Sequence, residues 1–195
     1  MGRLVAERLG FRYVDEEIVA QAAEREGLDV ADVADAERRK GWLARFFEEL
    51  GEGGDPEAYA VGGYVPSATG TPVRTSEHYA ALIADAVQQT AGSGQAVIVA
   101  HAASHALRGQ AGIVRVLVTA PPELRAQRIA GERELDDKAA AKVVKDSDTA
   151  RADYLRRFYE VDRELPTHYD LVLNTERLTP EDAAGLIVAA VGSSV

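Results

Sequence analysis

The sequence predicts an α/β fold, a doubly wound parallel sheet with flanking helices, as one domain over residues 1–195. Three observations predict it. Apolar runs at residues 96–100 and 114–118, the second broken only by Arg115, have the composition of parallel strands covered on both faces. Segments with strand and helix character alternate from one end to the other. No repeat period and no second compositional block divides the chain.

Residues 1–10 open with an amphipathic helix whose stripe is Leu4, Val5 and Leu9, with Gly10 as its C-cap. Residues 11–14 form a short strand, and Asp15-Glu16-Glu17 supply the N-cap and acidic first turn of a helix reaching about Glu26. After the break at Gly27, residues 28–50 read as further helix interrupted near Lys40-Gly41, with Trp42, Leu43, Phe46, Phe47 and Leu50 on one side. That stripe suits a core or a contact between subunits of a homo-oligomer. Residues 51–75, rich in Gly, Pro, Ser and Thr, exceed an ordinary connection and are expected to form a flexible loop on the substrate side.

Ser76 caps a helix in which Tyr79, Leu82, Ile83, Ala86 and Val87 recur at helical spacing until Gly92-Ser93-Gly94 ends it. The strand at 96–100 follows, then a short helical segment over 102–107 and the strand at 114–118. Pro121-Pro122-Glu123 starts a helix to about Ala130, with proline near its first position. A long charged helical region runs from Asp136 to about Asp162. The last strand is 170–174, and Thr179-Pro180-Glu181 caps a final helix to about Val191.

Composition narrows the function classes. A net charge of −10 disfavours a nucleic acid polymer as partner, because such binding depends on Lys and Arg releasing counterions. It says little about a small phosphate ligand, which needs only a few local arginines or a helix N-terminus. With no cysteine there is no disulfide framework and no thiolate zinc site. No run approaches the roughly 20 apolar residues that span a bilayer, and no secretory pattern opens the chain, so a cytoplasmic protein without a membrane partner is expected.

Sites in such sheets lie beyond the carboxyl ends of the strands. Asp15, His101, Thr119 and Asn174-Thr175 occupy those positions. Asp15 fits either a hydrogen bond to a substrate or a helix cap. His101 and His105 share a helical spacing, but no third ligand is evident and no metal site is expected; His101 then serves as a donor to a phosphate or base, or is satisfied internally. The charged stretch from Arg125 to Arg157 is either a solvated face laced with ion pairs or a lid, the lid-like region covering about 125–160. In the lid reading Arg125 and Arg128, three apart on one helix, reach a transferring phosphoryl group together, and Asp148 pairs with Arg151 to set a guanidinium against a phosphate or base.

The string Ala96-Val97-Ile98-Val99-Ala100-His101-Ala102-Ala103-Ser104-His105-Ala106-Leu107-Arg108 resembles the cytidylate kinase-like branch of the nucleoside monophosphate kinases. So do Val114 to Val118 with Ala120-Pro121, the pattern Asp148-x-x-Arg151-x-x-Tyr154, Phe158-Tyr159, and Tyr169 to Thr175. Leu9-Gly10-Phe11-Arg12-Tyr13-Val14-Asp15 is similar to that family's second strand. The resemblance implies a P-loop kinase fold that transfers phosphate from ATP, with Mg²⁺, to a nucleoside monophosphate such as CMP or to another small phosphate acceptor. It implies catalytic roles for Arg125 and Arg128, and acceptor binding by Asp15, His101, Arg108, Asp148 and Arg151.

Two departures qualify it. Ala100-His101 stands where the family has Gly-Arg, exchanging a permanently charged bidentate ligand for a titratable one. The family's first strand and phosphate loop have no counterpart, so an N-terminally truncated chain with no assignable ATP-binding residues and little activity is expected. The alternatives are a non-catalytic nucleotide- or protein-binding member of the same fold, and a kinase of a small metabolite.

Overall fold

The computed structural model describes residues 1–15, 17–27, 76–99 and 102–193. The stripe from Trp42 to Leu50, the loop at 51–75 and His101 lie outside the described residues.

Helix α1 (Gly2–Leu9) ends as the sequence predicts, at Gly10 in the left-handed conformation with φ 67°. Strand β1 (Arg12–Val14) leads to α2 (Glu17–Glu26), and α3 (Ser76–Gly92) leads to β2 (Ala96–Ile98). The single turn of α4 (Ala103–Ala106) precedes β3 (Val116–Thr119). Helix α5 (Pro122–Arg133) begins with Pro122 just inside its start. Helix α6 (Asp137–Tyr159) is capped by Asp136, whose side chain accepts from the Ala139 amide at 2.8 Å. A 3₁₀ turn (Pro166–His168) enters β4 (Leu171–Asn174), and α7 (Pro180–Ser193) follows. Thr179 caps α7, accepting from the Asp182 amide at 3.1 Å while its hydroxyl donates to the Asp182 carboxylate at 2.7 Å.

The strands form two parallel pairs. Arg12, Tyr13 and Val14 of β1 lie opposite Ala96, Val97 and Ile98 of β2. Val116 to Thr119 of β3 lie opposite Leu171 to Asn174 of β4. Arg115 and Asp170 lock the second register from outside: the Arg115 amide donates to the Asp170 carboxylate at 2.8 Å, and its guanidinium adds bonds of 3.1 and 2.8 Å. Those bonds also hold the Asp170 carboxyl below its ordinary value.

Alternation along β1 and β2 sends side chains to two different cores. Val14 and Ile98 pack with Ile18, Ala22, Ile83, Val87 and Leu107, on the side of α2, α3 and α4. Val97 joins Val5 of α1, Leu173 of β4, and Ala183, Ala184 and Ile187 of α7. Helices thus cover both faces of the β1–β2 pair, while α1 and α7 form one layer reaching both strand pairs. At Gly2 this layer comes close to the strands: a Cβ there would stand 2.8 Å from Val99 Cγ2 and 3.0 Å from Tyr13 Cε2.

Two expectations are met only in part among the described residues. A single doubly wound sheet is not what the described residues show, since β2 pairs with β1 alone and β3 with β4 alone. The apolar runs are also less buried than two-face coverage implies: β2 is only half-buried and Val118 of β3 is 45% exposed. Both have one cause. Among the described residues each strand has a strand partner on one edge only.

Candidate functional site

Two ends of the β3–β4 pair are tied by arginines from α5. Arg125 donates through Nε to the carbonyl of Ala120, just beyond β3, at 3.1 Å, and through both terminal nitrogens to the Asp148 carboxylate of α6 at 2.7 Å each. Arg128 donates to the carbonyl of Thr175, just beyond β4, at 2.7 Å and to its hydroxyl at 3.2 Å. Thr175 is itself buried and donates to the Thr119 carbonyl at 3.0 Å, so the carboxyl ends of β3 and β4 share one hydrogen-bonded knot.

A cleft of about 150 Å³ runs along α6, lined by the charged groups Asp148, Arg151, Asp162 and Glu164 and the apolar Ala152, Leu155 and Val161. Drug-sized ligands fill roughly 300–1,000 Å³. This cleft is therefore the size of a base or a phosphate, one part of a nucleotide. Asp148 and Arg151, three residues apart on α6, share a helix face and both reach the cleft.

The sequence pairs Asp148 with Arg151, and the structure corrects this. Asp148 holds Arg125, and Arg151 turns to Glu164, donating through Nε at 3.0 Å and through Nη2 at 2.6 Å. Glu164 also accepts from the Tyr169 hydroxyl and lies 3.7 Å from Nε2 of His105. Tyr169 closes the group, its hydroxyl 3.3 Å from Arg151 Nη2 and 3.4 Å from His105 Nε2. Burial pushes the Glu164 carboxyl up, but the hydrogen bonds and charge of Arg151, joined by His105, outweigh it and hold the group below its ordinary value. At His105, whose side chain is 6% exposed, burial prevails instead; it sits below its ordinary value despite the opposing pull of Glu164.

Asp15 and Arg108 do not line the cleft. Asp15 follows β1 and accepts from the Tyr13 hydroxyl at 2.9 Å. Arg108, beyond α4, is exposed. Among the described residues no three His, Asp or Glu side chains are grouped to hold a metal ion. No helix among them is long and apolar enough to cross a membrane. Sequence reasoning missed Glu164, because it lies in an irregular segment without periodicity. The signal available was chemical: Asp162-Arg163-Glu164 places carboxylates directly between a long cationic helix and the final strand.

With this geometry in place, the model of the cytidylate kinase-like family matches residues 1–177. The chain belongs to the cytidylate kinase-like family. Curated family relatives named cytidylate kinase include those of Natronomonas pharaonis, 31% identical over 87 residues, and Sulfolobus acidocaldarius, 34% identical over 77 residues. These matches cover 45% and 39% of this chain, and the chain spans less than half the length of each relative, 45% and 42%. A solved structure of an uncharacterized protein from Eubacterium ventriosum superposes with a TM-score of 0.61 at 16% identity, covering 98% of this chain and 91% of that one. That likeness shows the shared α/β fold of this cytidylate kinase-like chain and nothing finer.

Proposed function

We propose that the chain carries the acceptor side of a nucleoside monophosphate kinase, in which the γ-phosphoryl of ATP passes to a nucleoside monophosphate, CMP first among the candidates. The observation that carries this reading is the meeting of Asp148 and Arg151 at one cleft, with Asp148 tied through Arg125 to Ala120 just beyond β3, the end of a parallel strand where ligands bind. Asp148, anchored by Arg125, offers an acceptor edge to a base amine. Arg151 offers N–H donors to a phosphate or a base carbonyl. Arg128, held at the end of β4, keeps a second fixed positive charge on the same side of the sheet.

ATP with Mg²⁺ supplies the transferable group and the charge that neutralises it. The described residues fit the acceptor and not the donor. No Gly-Lys pair of a phosphate loop occurs anywhere in the chain, and catalysis by positioning depends on that loop. The 195-residue polypeptide therefore binds acceptor and turns over little. A non-catalytic nucleotide- or protein-binding member of the same fold is the second reading, and Ala100-His101 leaves a metabolite acceptor as the third.

Calorimetric titration with CMP, AMP, UMP and inorganic phosphate separates these readings. Preferential binding of one nucleoside monophosphate supports the kinase reading, and failure to bind any of them removes it. Binding that stays without turnover when a phosphate-loop segment is joined to the N-terminus moves the assignment to the non-catalytic reading.

A further inference from the structure

Arg151 has five N–H donors, and their allocation is informative. Nε and one hydrogen of Nη2 go to the two oxygens of Glu164, and the second Nη2 hydrogen faces the Tyr169 hydroxyl. Nη1, with two donors, has no partner among the described residues, and Arg151 lines the cleft. A lone arginine on a helix samples many rotamers; one gripped along its Nε–Nη2 edge presents its Nη1 edge in a single direction.

The grip is itself braced. Glu164 comes from the segment between α6 and the 3₁₀ turn, Tyr169 precedes β4, and His105 comes from α4. Tyr169 has one hydroxyl hydrogen, which goes to Glu164. His105 Nε2 faces the Tyr169 oxygen at 3.4 Å and the Glu164 carboxylate at 3.7 Å. His168 packs edge-on to His105 with ring centroids 5.7 Å apart, and Tyr159 of α6 lies against it at 5.7 Å. Arg151, Tyr169 and His105 thus converge on one carboxylate, more than an ordinary surface ion pair on a helix requires.

We infer that Glu164, braced by Tyr169 and His105, is the positioning residue that fixes the guanidinium of Arg151 with its Nη1 edge offered to the acceptor. This deepens the acceptor reading and rests on it only for the identity of what binds. Glu164 acts through Arg151 and touches no reacting atom. Its effect is therefore on acceptor affinity and orientation rather than on chemistry at the transferred group.

The test has a ligand-free and a ligand-bound arm, both on the full 195-residue chain. In the first, ¹⁵N NMR of arginine side chains in wild type, E164Q and Y169F reads the Arg151 Nε–H exchange rate and guanidinium rotation, the signal being assigned by its loss in R151K. Slow exchange and restricted rotation in wild type, both released in E164Q and partly in Y169F, are expected. An Arg151 signal unchanged by E164Q overturns the inference whatever the ligand. In the second, CMP is titrated into E164Q, R151K and the double variant. E164Q is expected to weaken CMP about tenfold, with the double variant no weaker than R151K alone, because both changes remove one interaction. Additive losses overturn it. If no nucleotide binds wild type, the acceptor reading falls while the NMR arm still decides the role of Glu164.

Discussion

Replacing Asp148 by Asn separates a ligand-binding role from a structural one. The substitution keeps size and removes the charge that receives two 2.7 Å bonds from Arg125. The Arg125 side chain is 33% exposed and that of Asp148 50% exposed, so solvent screens the pair heavily. Half-exposed ion pairs contribute about 0–1 kcal/mol to folding, and the bidentate geometry puts this one toward the upper end. In a domain of this size about 1 kcal/mol moves the melting temperature by roughly 2–4 °C. Binding carries a different magnitude: a hydrogen bond to a charged group at a desolvated ligand contributes about 1.5–3 kcal/mol, or roughly 10–100-fold in affinity. Scanning calorimetry and CMP titration on the same sample give both numbers. The reasoning predicts a melting temperature within a few degrees of wild type and a CMP affinity at least tenfold weaker. A large loss of stability with unchanged affinity refutes it, because Asp148 would then be a tie between α5 and α6.

Three further outcomes follow from the geometry. Thr175→Val removes the hydroxyl that donates to Thr119 and receives from Arg128 in a buried position, and is expected to cost about 1–3 kcal/mol by urea denaturation; a neutral result would mean that the knot between β3 and β4 adds nothing. Gly2→Ala puts a Cβ 2.8 Å from Val99 Cγ2 and 3.0 Å from Tyr13 Cε2, so α1 must shift away from β2 at a cost of about 1–3 kcal/mol, checked by the same denaturation and by loss of contacts to Tyr13 in NMR. Stability is expected to fall continuously on acidification. His105 lies below its ordinary 6.5, so the unfolded chain takes up that proton first and stability declines as pH drops past 6.5. Glu164 and Asp170 lie below their ordinary 4.5 and 3.8, so their contributions are complete above those values and vanish as pH falls through the lower folded-state values. His105 is faced by Glu164, Arg151, His168, Tyr159 and Tyr169, and His105→Gln should flatten the decline between about pH 7 and 5. A melting temperature that rises between pH 7 and pH 5 contradicts this assignment.

Local physics was legible in the sequence, and long-range pairing was not. Gly10 as a left-handed cap, Pro122 inside the start of α5 and Thr179 as the cap of α7 are decisions made within a few residues, and periodicity and capping chemistry reveal them. The partial exposure of β2 and β3 is not legible in their apolar runs, because such a run reports what a strand needs and not whether its second edge has a neighbour. At the site, the helix face bearing Asp148 and Arg151 was visible from spacing. Which cation Asp148 would hold was not, since Arg125 lies 23 residues away. Glu164 meets Arg151 across 13 residues and lies in a segment with no pattern, so only the demand of a guanidinium for a carboxylate pointed to it.

The most direct test of the account is a paired assay on the 195-residue chain: CMP binding by calorimetry, and CDP formation from ATP, Mg²⁺ and CMP. The account predicts measurable CMP binding with CDP formation at least a thousandfold below the roughly 1–100 s⁻¹ of working kinases. Turnover in that ordinary range would show that the triphosphate is held without a phosphate loop and would contradict the division of acceptor and donor sites proposed for this chain.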